Sequence, residues 1–241
     1  MTAMIRVTVA EARGSTPREA GATMHVTADA LHGTIGGGRL EWMAVAEARV
    51  MLAGNGNRGE DAREMDVPLG PEIGQCCGGR VRLALERVTG LPEPEAHPPV
   101  LIFGAGHVGR ALARALAPLP LAPVLIDGRA SELAMAPPGT TTRLTALPEA
   151  EIRAAPPGTA YVILTHDHAL DFLLAGEALA RIDASYVGLI GSATKRVRFE
   201  RWHGGAAPRL TCPIGAAGRG DKRAEVIAAH VAVEVLGAVG R

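Results

Sequence analysis

The sequence predicts an α/β protein with two domains, an N-terminal α+β domain followed by a domain built on a doubly wound parallel sheet. Apolar and polar residues alternate in the first part of the chain, as they do in half-buried antiparallel strands. After residue 99 the apolar runs are short and continuous, and a helical segment follows each of them. A proline-rich stretch separates the two patterns.

The predicted N-terminal domain, residues 1–90, contains three strands and one helix. Alternation predicts strands at residues 5–10, 22–27 and 80–86. Apolar residues recur at helical spacing from Leu40 to Leu52, and a Gly-Asn-Gly sequence ends that run. Half-buried strands interrupted by one helix indicate an α+β domain.

Residues 91–99 are predicted to be a linker, and residues 100–241 a second domain. Four prolines within the linker deny its backbone both helix continuation and sheet hydrogen bonds. Four continuous apolar runs follow, at residues 100–103, 123–126, 160–164 and 186–190. Such runs are typical of parallel strands that helices cover on both faces. A last helix, at residues 222–236, either closes this domain or packs on the first one.

Composition and charge exclude several classes of protein. The chain has 241 residues, with 25 Lys plus Arg against 25 Asp plus Glu, so its formal net charge is zero. This balance and an aromatic content of 3% argue against a nucleic-acid-binding surface. No apolar stretch reaches the roughly 18 residues of a membrane span, and no signal peptide is recognisable at the start. Three cysteines are too few for a disulfide framework, so we expect a cytoplasmic protein.

The strongest fold signal is the FGAGHVG sequence that follows the first strand of the second domain. Gly104 permits a tight turn, Gly106 lets a phosphate approach the backbone, and Gly109 lets the next helix pack closely on the strand. Asp127 ends the following strand, where it is placed to accept a ribose hydroxyl. This spacing predicts a Rossmann-like unit, although the same glycines can also serve packing alone.

Two glycine loops of the first domain are candidate binding loops, since 30 glycines in one chain predict backbone that approaches a ligand. The GSTPREAG loop at residues 14–21 offers donors suited to a phosphate or a polar ring: Ser15, Thr16 and Arg18. An ordinary turn with a solvated arginine remains the alternative. GTIGGGRLE at residues 33–41 leads into the predicted helix, where consecutive glycines expose N–H groups to an anion. Its candidate residues are Gly36, Gly37, Gly38 and Arg39.

A third loop, GQCCGG at residues 74–79, contains Cys76 and Cys77. Adjacent cysteines cannot join without a strained ring, so two free thiols between glycines indicate soft-metal ligation or sulfur handling. Cys212 lies in a CPIG sequence of the second domain. It either approaches the same site or simply packs in the core.

Polar residues also follow the later strands of the second domain. THDH at residues 165–168 contains His166, Asp167 and His168, and Asp171 follows one turn into the next helix. These two histidines and two aspartates are suited to a metal, to acid–base chemistry or to a heterocycle. Asp167 can equally cap the helix that follows. GLIGS at residues 188–192 ends in Ser192, and Lys195 and Arg196 follow it as further phosphate contacts or as solvated helix charges.

Taken together, seven ordered motifs resemble the XdhC/CoxI family of xanthine dehydrogenase accessory proteins. They are GSTPREAG, GTIGGGRLE, GQCCGG, FGAGHVG, THDH, GLIGS and CPIG, and they extend over nearly the whole chain. The resemblance implies a chaperone that binds and shields the molybdenum cofactor, which is molybdopterin with or without an attached nucleotide. It also implies support for exchange of a terminal oxo ligand for sulfide, followed by insertion of the cofactor into a molybdenum hydroxylase.

The resemblance further implies partners and a metal contact. Expected partners are the large subunit of xanthine dehydrogenase or a related molybdenum hydroxylase and a cysteine desulfurase, and a homodimer is left open. Cys77, then Cys76, is the thiol expected nearest to molybdenum. The dinucleotide form of the cofactor would give the Rossmann-like loop a ligand, whereas an empty unit used for docking is the other possibility.

Two other functions compete with the chaperone. FGAGHVG and Asp127 suit an NAD(P)-dependent oxidoreductase, which would leave the cysteine pair without a role. His166 and His168 suit a metal-dependent hydrolase, but no third ligand at a recognisable spacing accompanies them. The chaperone accounts for the most motifs, so we expect an accessory protein rather than a self-contained enzyme.

Overall fold

The computed structural model describes residues 3–54, 61–70, 78–90, 96–218 and 220–239. The chain divides into two compact units, Met1–Pro94 and Glu95–Arg241. The first contains an antiparallel sheet and the second a parallel sheet, so the predicted α/β class is confirmed. Part of the predicted linker lies outside the described residues, and the first strand of the second unit begins at Pro99.

The first unit is a five-stranded antiparallel sheet. Its strands are β1 (Ala3–Arg13), β2 (Thr23–Val26), β3 (Leu31–Gly33), β4 (Ala62–Pro68) and β5 (Arg80–Thr89), arranged in the order β3-β2-β1-β5-β4. In β1, Ile5, Val7 and Val9 are buried, because alternate side chains of a strand point to the same face. Charged side chains such as Arg6 and Glu86 pair across the strands on the other face.

One helix, α1 (Gly38–Ala53), supplies the apolar stripe that completes the core of the first unit. Its buried residues are Leu40, Ala44, Ala48 and Met51. They share a core with the apolar side chains of β1, β2 and β5. This packing fixes the start of α1, and therefore the glycine loop before it, close to the sheet.

The second unit is a six-stranded parallel sheet. Its strands are β6 (Pro99–Phe103), β7 (Ala122–Asp127), β8 (Thr141–Leu144), β9 (Ala160–Ile163), β10 (Tyr186–Leu189) and β11 (Leu210–Thr211). They lie in the order β11-β10-β9-β6-β7-β8. This is the usual strand order of a Rossmann fold, with the reversal between the first and fourth strands of the unit.

Helices cover both faces of the parallel sheet, as the continuous apolar runs predict. They are α2 (His107–Leu116), α3 (Ala130–Leu133), α4 (Pro148–Ala154), α5 (His168–Ala180), α6 (Ala193–His203) and α7 (Ala224–Val239). Val100 and Ile102 of β6 share one core with α2 and α7, whereas Leu101 and Phe103 share the other with α4, α5 and α6. The last helix therefore closes the second unit. None of the described helices is long and apolar enough to cross a membrane.

Candidate functional site

The order of the strands places two predicted motifs side by side in the second unit. The sheet reverses direction of winding between β6 and β9, which are hydrogen-bonded neighbours. FGAGHVG continues from the carboxyl end of β6, and THDH follows the carboxyl end of β9. In open α/β sheets, ligands bind in the crevice outside the carboxyl ends of the strands at such a reversal. Both motifs therefore lie where this fold binds ligands.

The three glycines of FGAGHVG have different surroundings. A side chain at Gly109 would overlap the carbonyl oxygen of Gly104, and one at Gly104 would overlap the carbonyl oxygen of Leu164. These two glycines are required for packing of the loop on α2 and on the end of β9. Gly106, in contrast, has open space where a side chain would project. Gly106 is thus the glycine whose backbone an incoming group can approach.

Asp127 is engaged by the protein itself. Its Oδ2 accepts hydrogen bonds from the N–H of Ala105 at 2.8 Å and from Nη2 of Arg129 at 2.8 Å. Its Oδ1 accepts from the backbone N–H and from Nε of Arg129, both at 2.9 Å. The carboxylate therefore ties the glycine loop to the end of β7. Its predicted role as a ribose acceptor stays a prediction, and a ribose would have to displace or share these donors.

A small apolar cavity lies next to this carboxylate. It has a volume of about 250 Å³ and is enclosed by Phe103, Gly104, Ile126, Asp127, Gly128, Arg129, Pro148, Thr165, His166, Leu170 and Leu174. Most of its wall is aliphatic or aromatic, and its polar groups come from Asp127 and Arg129 after β7 and from Thr165 and His166 after β9. Such a lining suits a flat ring that carries a few polar substituents.

The THDH loop is held by a buried carboxylate. Asp171 is fully buried, and its Oδ1 accepts hydrogen bonds from the N–H and the hydroxyl of Thr165 at 3.0 and 2.7 Å. Its Oδ2 forms an ion pair with Nζ of Lys195 on α6. Asp171 thereby connects the loop after β9 with the helix after β10. A buried carboxylate with several donors is the arrangement in which a charge is tolerated inside a protein.

Asp167 caps α5, which is the alternative role that its position suggests. Its Oδ1 accepts from the N–H groups of Ala169 at 2.7 Å and of Leu170 at 3.3 Å, and these hydrogen bonds hold the pKa of Asp167 below its ordinary value. The neighbouring His166 and His168 border a second, larger cleft. Ligand contact by all three residues stays a prediction.

The second cleft has a volume of about 530 Å³ and lies at the carboxyl ends of β9 and β10. Its lining consists of Thr165, His166, His168, Ile190, Gly191, Ser192, Thr194, Lys195 and Arg198. Ser192 is the N-cap of α6, where its Oγ accepts from the N–H of Lys195 at 3.3 Å. Arg196 points elsewhere, since its guanidinium donates to the carbonyl oxygens of Leu210 and Ala207.

In the first unit, the structure brings two predicted loops into contact. A side chain at Gly36 would lie 2.5 Å from Cβ of Pro17, so the glycine run passes directly over the GSTPREAG loop. Gly36 also has a φ of 120°, which a residue with a side chain rarely adopts. GSTPREAG and GTIGGGRLE therefore form one continuous surface.

The same GSTPREAG loop contacts the end of the third motif. Gly79 follows the cysteine pair and lies against the carbonyl oxygens of Arg13 and Ser15, which a side chain there would overlap. Cys76 and Cys77 themselves lie outside the described residues. The described glycines of all three N-terminal motifs thus meet around residues 13–18.

Glu41 occupies part of the glycine nest that an anion was expected to fill. Its Oε2 accepts from the N–H of Gly37 at 2.9 Å, from the N–H of Ile35 at 3.3 Å and from the hydroxyl of Thr34 at 2.7 Å. The carboxylate reaches back over the first turn of α1 in the manner of a capping box. An external phosphate at Gly36, Gly37 and Gly38 would compete with this internal anion.

Several predicted donors near these loops have free bonding capacity. Within the described part of the chain, the side chains of Ser15, Thr16 and Arg18 have no protein partner and are accessible. Arg39 stacks over the ring of Trp42, with its guanidinium carbon 4.6 Å from the ring centroid. Trp42 is 61% exposed, so this pair presents an aromatic and cationic surface beside the glycine run.

Cys212 has the surroundings of a core residue. Its side chain is buried with Phe199 and Leu210, and burial raises the pKa of its thiol above the ordinary value. Among the described residues, no three His, Cys, Asp or Glu side chains come together as a metal site requires.

Sequence reasoning singled out Asp171 together with the THDH motif but missed two residues that the structure shows to be important, Glu41 and Arg198. Glu41 lies in the first turn of α1, where acidic side chains are favoured, and that position is the available signal. Arg198 lies three residues after Lys195, so both share one side of α6. The burial of Asp171 has no signal in the sequence, because it results from the packing of α5 against the sheet.

Two family models match the chain. The model described as the XdhC Rossmann domain matches residues 100–235, and that of the XdhC and CoxI family matches residues 2–63. Among solved structures, the chain is similar to a Bacillus halodurans protein described as a xanthine dehydrogenase, with 18% identity and a TM-score of 0.82 over 99% of this chain and 92% of that one. At this identity the likeness shows the fold alone. No curated protein matches the sequence.

Proposed function

The chain belongs to the XdhC and CoxI family, and on this premise we propose that it is an accessory protein in the maturation of xanthine dehydrogenase or a related molybdenum hydroxylase. Its proposed task is to bind the molybdenum cofactor, to protect it during sulfuration and to deliver it. Its role is that of a carrier, so no reaction is assigned to its own side chains.

The observation that carries this proposal is the meeting of three glycine motifs in the first unit. Pro17 packs on Gly36, and Ser15 packs on Gly79, which stands two residues after Cys77. Accessible hydroxyls and the guanidinium of Arg18 are thereby collected near Gly79, which follows the two cysteines in the sequence. That set of donors matches the chemistry of molybdopterin, which carries a phosphate, a polar bicyclic ring and a soft metal.

We assign parts of the cofactor to residues as follows. Ser15, Thr16 and Arg18 would hydrogen-bond the phosphate or the pterin ring, because no other described residue uses their donors. The guanidinium of Arg39 would add a cation at the same surface. Cys77, then Cys76, would contact molybdenum, since thiolates prefer soft metals. When bound, the cofactor supplies a molybdenum centre whose terminal oxo ligand is exchangeable for sulfide.

The second unit suits the nucleotide half of a dinucleotide cofactor. Gly106 begins α2 without a side-chain cap among the described residues, whereas α5 and α6 are capped by Asp167 and Ser192. Free N–H groups at the start of a long helix favour a phosphate. The apolar cavity beside Asp127 would accept the base. An NAD(P)-dependent oxidoreductase remains the alternative for this unit.

The proposed partners follow from the proposed task. A cysteine desulfurase would supply sulfide, and the large subunit of the molybdenum hydroxylase would receive the cofactor. Both belong to the cytoplasm, where we place this protein too. Whether two copies associate is left to measurement of the mass in solution.

Retention of pterin tests the proposal. Protein isolated without oxygen from a molybdenum-replete host should release a fluorescent pterin after oxidation. Cys77→Ala should lower the pterin retained per protein by roughly tenfold or more, because even outer partners of a metal site typically contribute that much. Cys212→Ala is the matched control and should retain pterin, since Cys212 is a buried core residue of the other unit.

Repeated isolation without pterin at saturating molybdenum supply would contradict the proposal. If Cys77→Ala retained as much pterin as the wild type, the metal contact would have to be made by another residue. Binding and turnover of a nicotinamide cofactor would instead favour the oxidoreductase.

A further inference from the structure

We propose that the 530 Å³ cleft of the second unit is a phosphate-binding site, in which Arg198 is the free cation that selects the ligand. The inference rests on the proposed function only for the identity of the natural ligand. The chemistry of the cleft itself specifies a phosphate or diphosphate group. We call this cleft the phosphate cleft.

The charge of the lining is the first argument. Among the described residues that line the phosphate cleft none is acidic, while Lys195 and Arg198 are cationic and His166 and His168 are able to donate hydrogen bonds. Three hydroxyl groups, of Thr165, Ser192 and Thr194, complete the polar surface. A surface of donors with positive charge is complementary to an oxyanion with several acceptor oxygens.

The two cations play different parts. Lys195 is largely buried and its charge is balanced by Asp171. Its role in the cleft is therefore to orient a bound phosphate through hydrogen bonds more than to add net positive charge. Its ammonium group has three donors, of which Asp171 uses one. Asp171 therefore acts as a positioning residue for Lys195.

Arg198 is exposed and has no ion-pair partner among the described residues. Arg196 on the same helix donates to main-chain carbonyls and to Glu200, so its guanidinium is committed to the fold. Arg198 is thus the arginine of α6 that lines the cleft with its donors available. A guanidinium can bind a phosphate through two parallel hydrogen bonds, which gives selectivity as well as affinity.

The GLIGS motif is explained by the same cleft. A side chain at Gly191 would lie 2.6 Å from Cδ and 3.0 Å from Cβ of Lys195. The absence of a side chain therefore lets Lys195 fold back across the loop to reach Asp171. Ser192 then starts α6, and its Oγ caps the helix by accepting from the N–H of Lys195, so the donors of the cleft are those of side chains.

The phosphate cleft adjoins the apolar cavity near Asp127. Thr165 and His166 line both spaces. A ligand that carries a ring and a phosphate can therefore place the ring in the cavity and the phosphate in the cleft. The cations indicate a phosphate as the ligand of the cleft, and the adjoining cavity connects the cleft with the end of β6 at the reversal of the sheet.

The test uses inorganic pyrophosphate as the probe and the full-length protein. Calorimetric titration at low ionic strength should show binding to the wild type. Arg198→Ala should weaken it at least about tenfold, because a charge-assisted bidentate contact is lost. Arg198→Lys should recover part of the affinity, since the charge returns without the planar fork. The matched control is Arg201→Ala, which removes the same charge from the same helix outside the cleft.

Equal weakening by Arg198→Ala and Arg201→Ala would overturn the proposal, because it would indicate general attraction to a basic helix. Absence of pyrophosphate binding to the wild type would also overturn it. Binding that depends on Arg198 in protein that never retains pterin would uphold the cleft while contradicting the proposed function. The experiments can therefore contradict either proposal without contradicting the other.

Discussion

At the scale of single residues, Asp127 shows how surroundings decide what a side chain does. Burial acts to raise its pKa, but hydrogen bonds from the Arg129 side chain and from the N–H groups of Ala105 and Arg129 outweigh burial. Together they lower the pKa of Asp127 to about 2. A carboxylate expected to bind a ligand is therefore also a cross-link between two strand ends.

Replacement of the Asp127 carboxylate should lower the free energy of unfolding by an amount that depends on pH. Because the folded pKa of about 2 lies below the ordinary value of 3.8, ionised Asp127 stabilises the fold above about pH 4. This contribution declines as the pH falls toward 2. At about 1.4 kcal/mol per pKa unit, we expect Asp127→Asn to lower the free energy of unfolding by about 2 kcal/mol at pH 7. At pH 3 the loss should be about half as large.

Urea unfolding at the two pH values measures this difference. Asp221→Asn is the matched control, because Asp221 forms a similar pair with Arg223, which is 74% exposed. We expect little loss there, since exposed pairs contribute little. The lowered pKa of Asp127 would be contradicted if both variants lost the same free energy of unfolding. It would also be contradicted if Asp127→Asn lost the same free energy of unfolding at pH 7 and at pH 3.

At the scale of elements, the starts of the helices determine where a ligand can approach. Asp167 and Ser192 cap α5 and α6 with their side chains, whereas Gly106 leaves the start of α2 open. Gly109 lies in the first turn of α2 and is pressed against the carbonyl of Gly104. Gly106 thus lets a ligand approach the start of α2, whereas Gly109 lets α2 pack against the loop.

Alanine substitutions should separate these two roles. Gly109→Ala forces a methyl group into the Gly104 carbonyl, so we expect it to lower the free energy of unfolding by about 1–3 kcal/mol or more. Gly106→Ala meets open space and should cost clearly less, while it lowers retention of a nucleotide-bearing cofactor. Thermal unfolding and pterin analysis of both variants measure the two effects. Equal destabilisation would show that Gly106 also serves packing.

At the scale of the whole molecule, each unit has its own core. The first unit buries one face of its sheet under α1, and the second buries both faces of its sheet. The predicted seam at residues 91–99 lies close to the boundary between the units at Pro94 and Glu95. A boundary with an independent core on each side is typical of separate folding domains.

Residues 96–241 expressed alone should therefore fold. We expect a circular dichroism spectrum of a mixed α/β protein and a cooperative thermal transition, because both cores of the parallel sheet are made within this part. The same fragment should bind pyrophosphate as the full chain does. A fragment without a cooperative transition would show that the second unit requires the first.

The elements that were predicted are those with strong periodicity and burial. The predicted strands β1, β2, β5, β6, β7, β9 and β10 and the predicted helices α1 and α7 all contribute buried apolar residues to the cores, so their patterns are readable. Strands β3 and β8 have only exposed residues, β4 has one buried residue, Val67, and β11 has two residues. Strands that are this exposed or this short lack the apolar pattern on which sequence interpretation depends.

The motifs of the candidate site were recognised from residue type and spacing, but their contacts were not. FGAGHVG, THDH and GLIGS each follow a buried strand, and the structure confirms that all three lie at the carboxyl edge of one sheet. The hydrogen bond from the N–H of Ala105 to Asp127 was not predictable, because these residues are 22 positions apart in the chain and meet only in the fold. The contacts of Asp127 with Arg129 and of Glu41 with Gly37 are local, but their geometry is set by the packing of the loops.

The sequence by itself determined the family, the two-part organisation and the class of the fold, because motifs and apolar periodicity are local properties of the chain. Only the tertiary structure decided which groups are free to bind. Asp171 and Asp167 already accept hydrogen bonds that hold a loop and cap a helix, whereas no other residue in the described part of the chain uses the donors of Arg198, Ser15 and Arg18. Availability is settled by three-dimensional packing, since a hydrogen-bonding group is free only if no neighbour in the fold has already satisfied it.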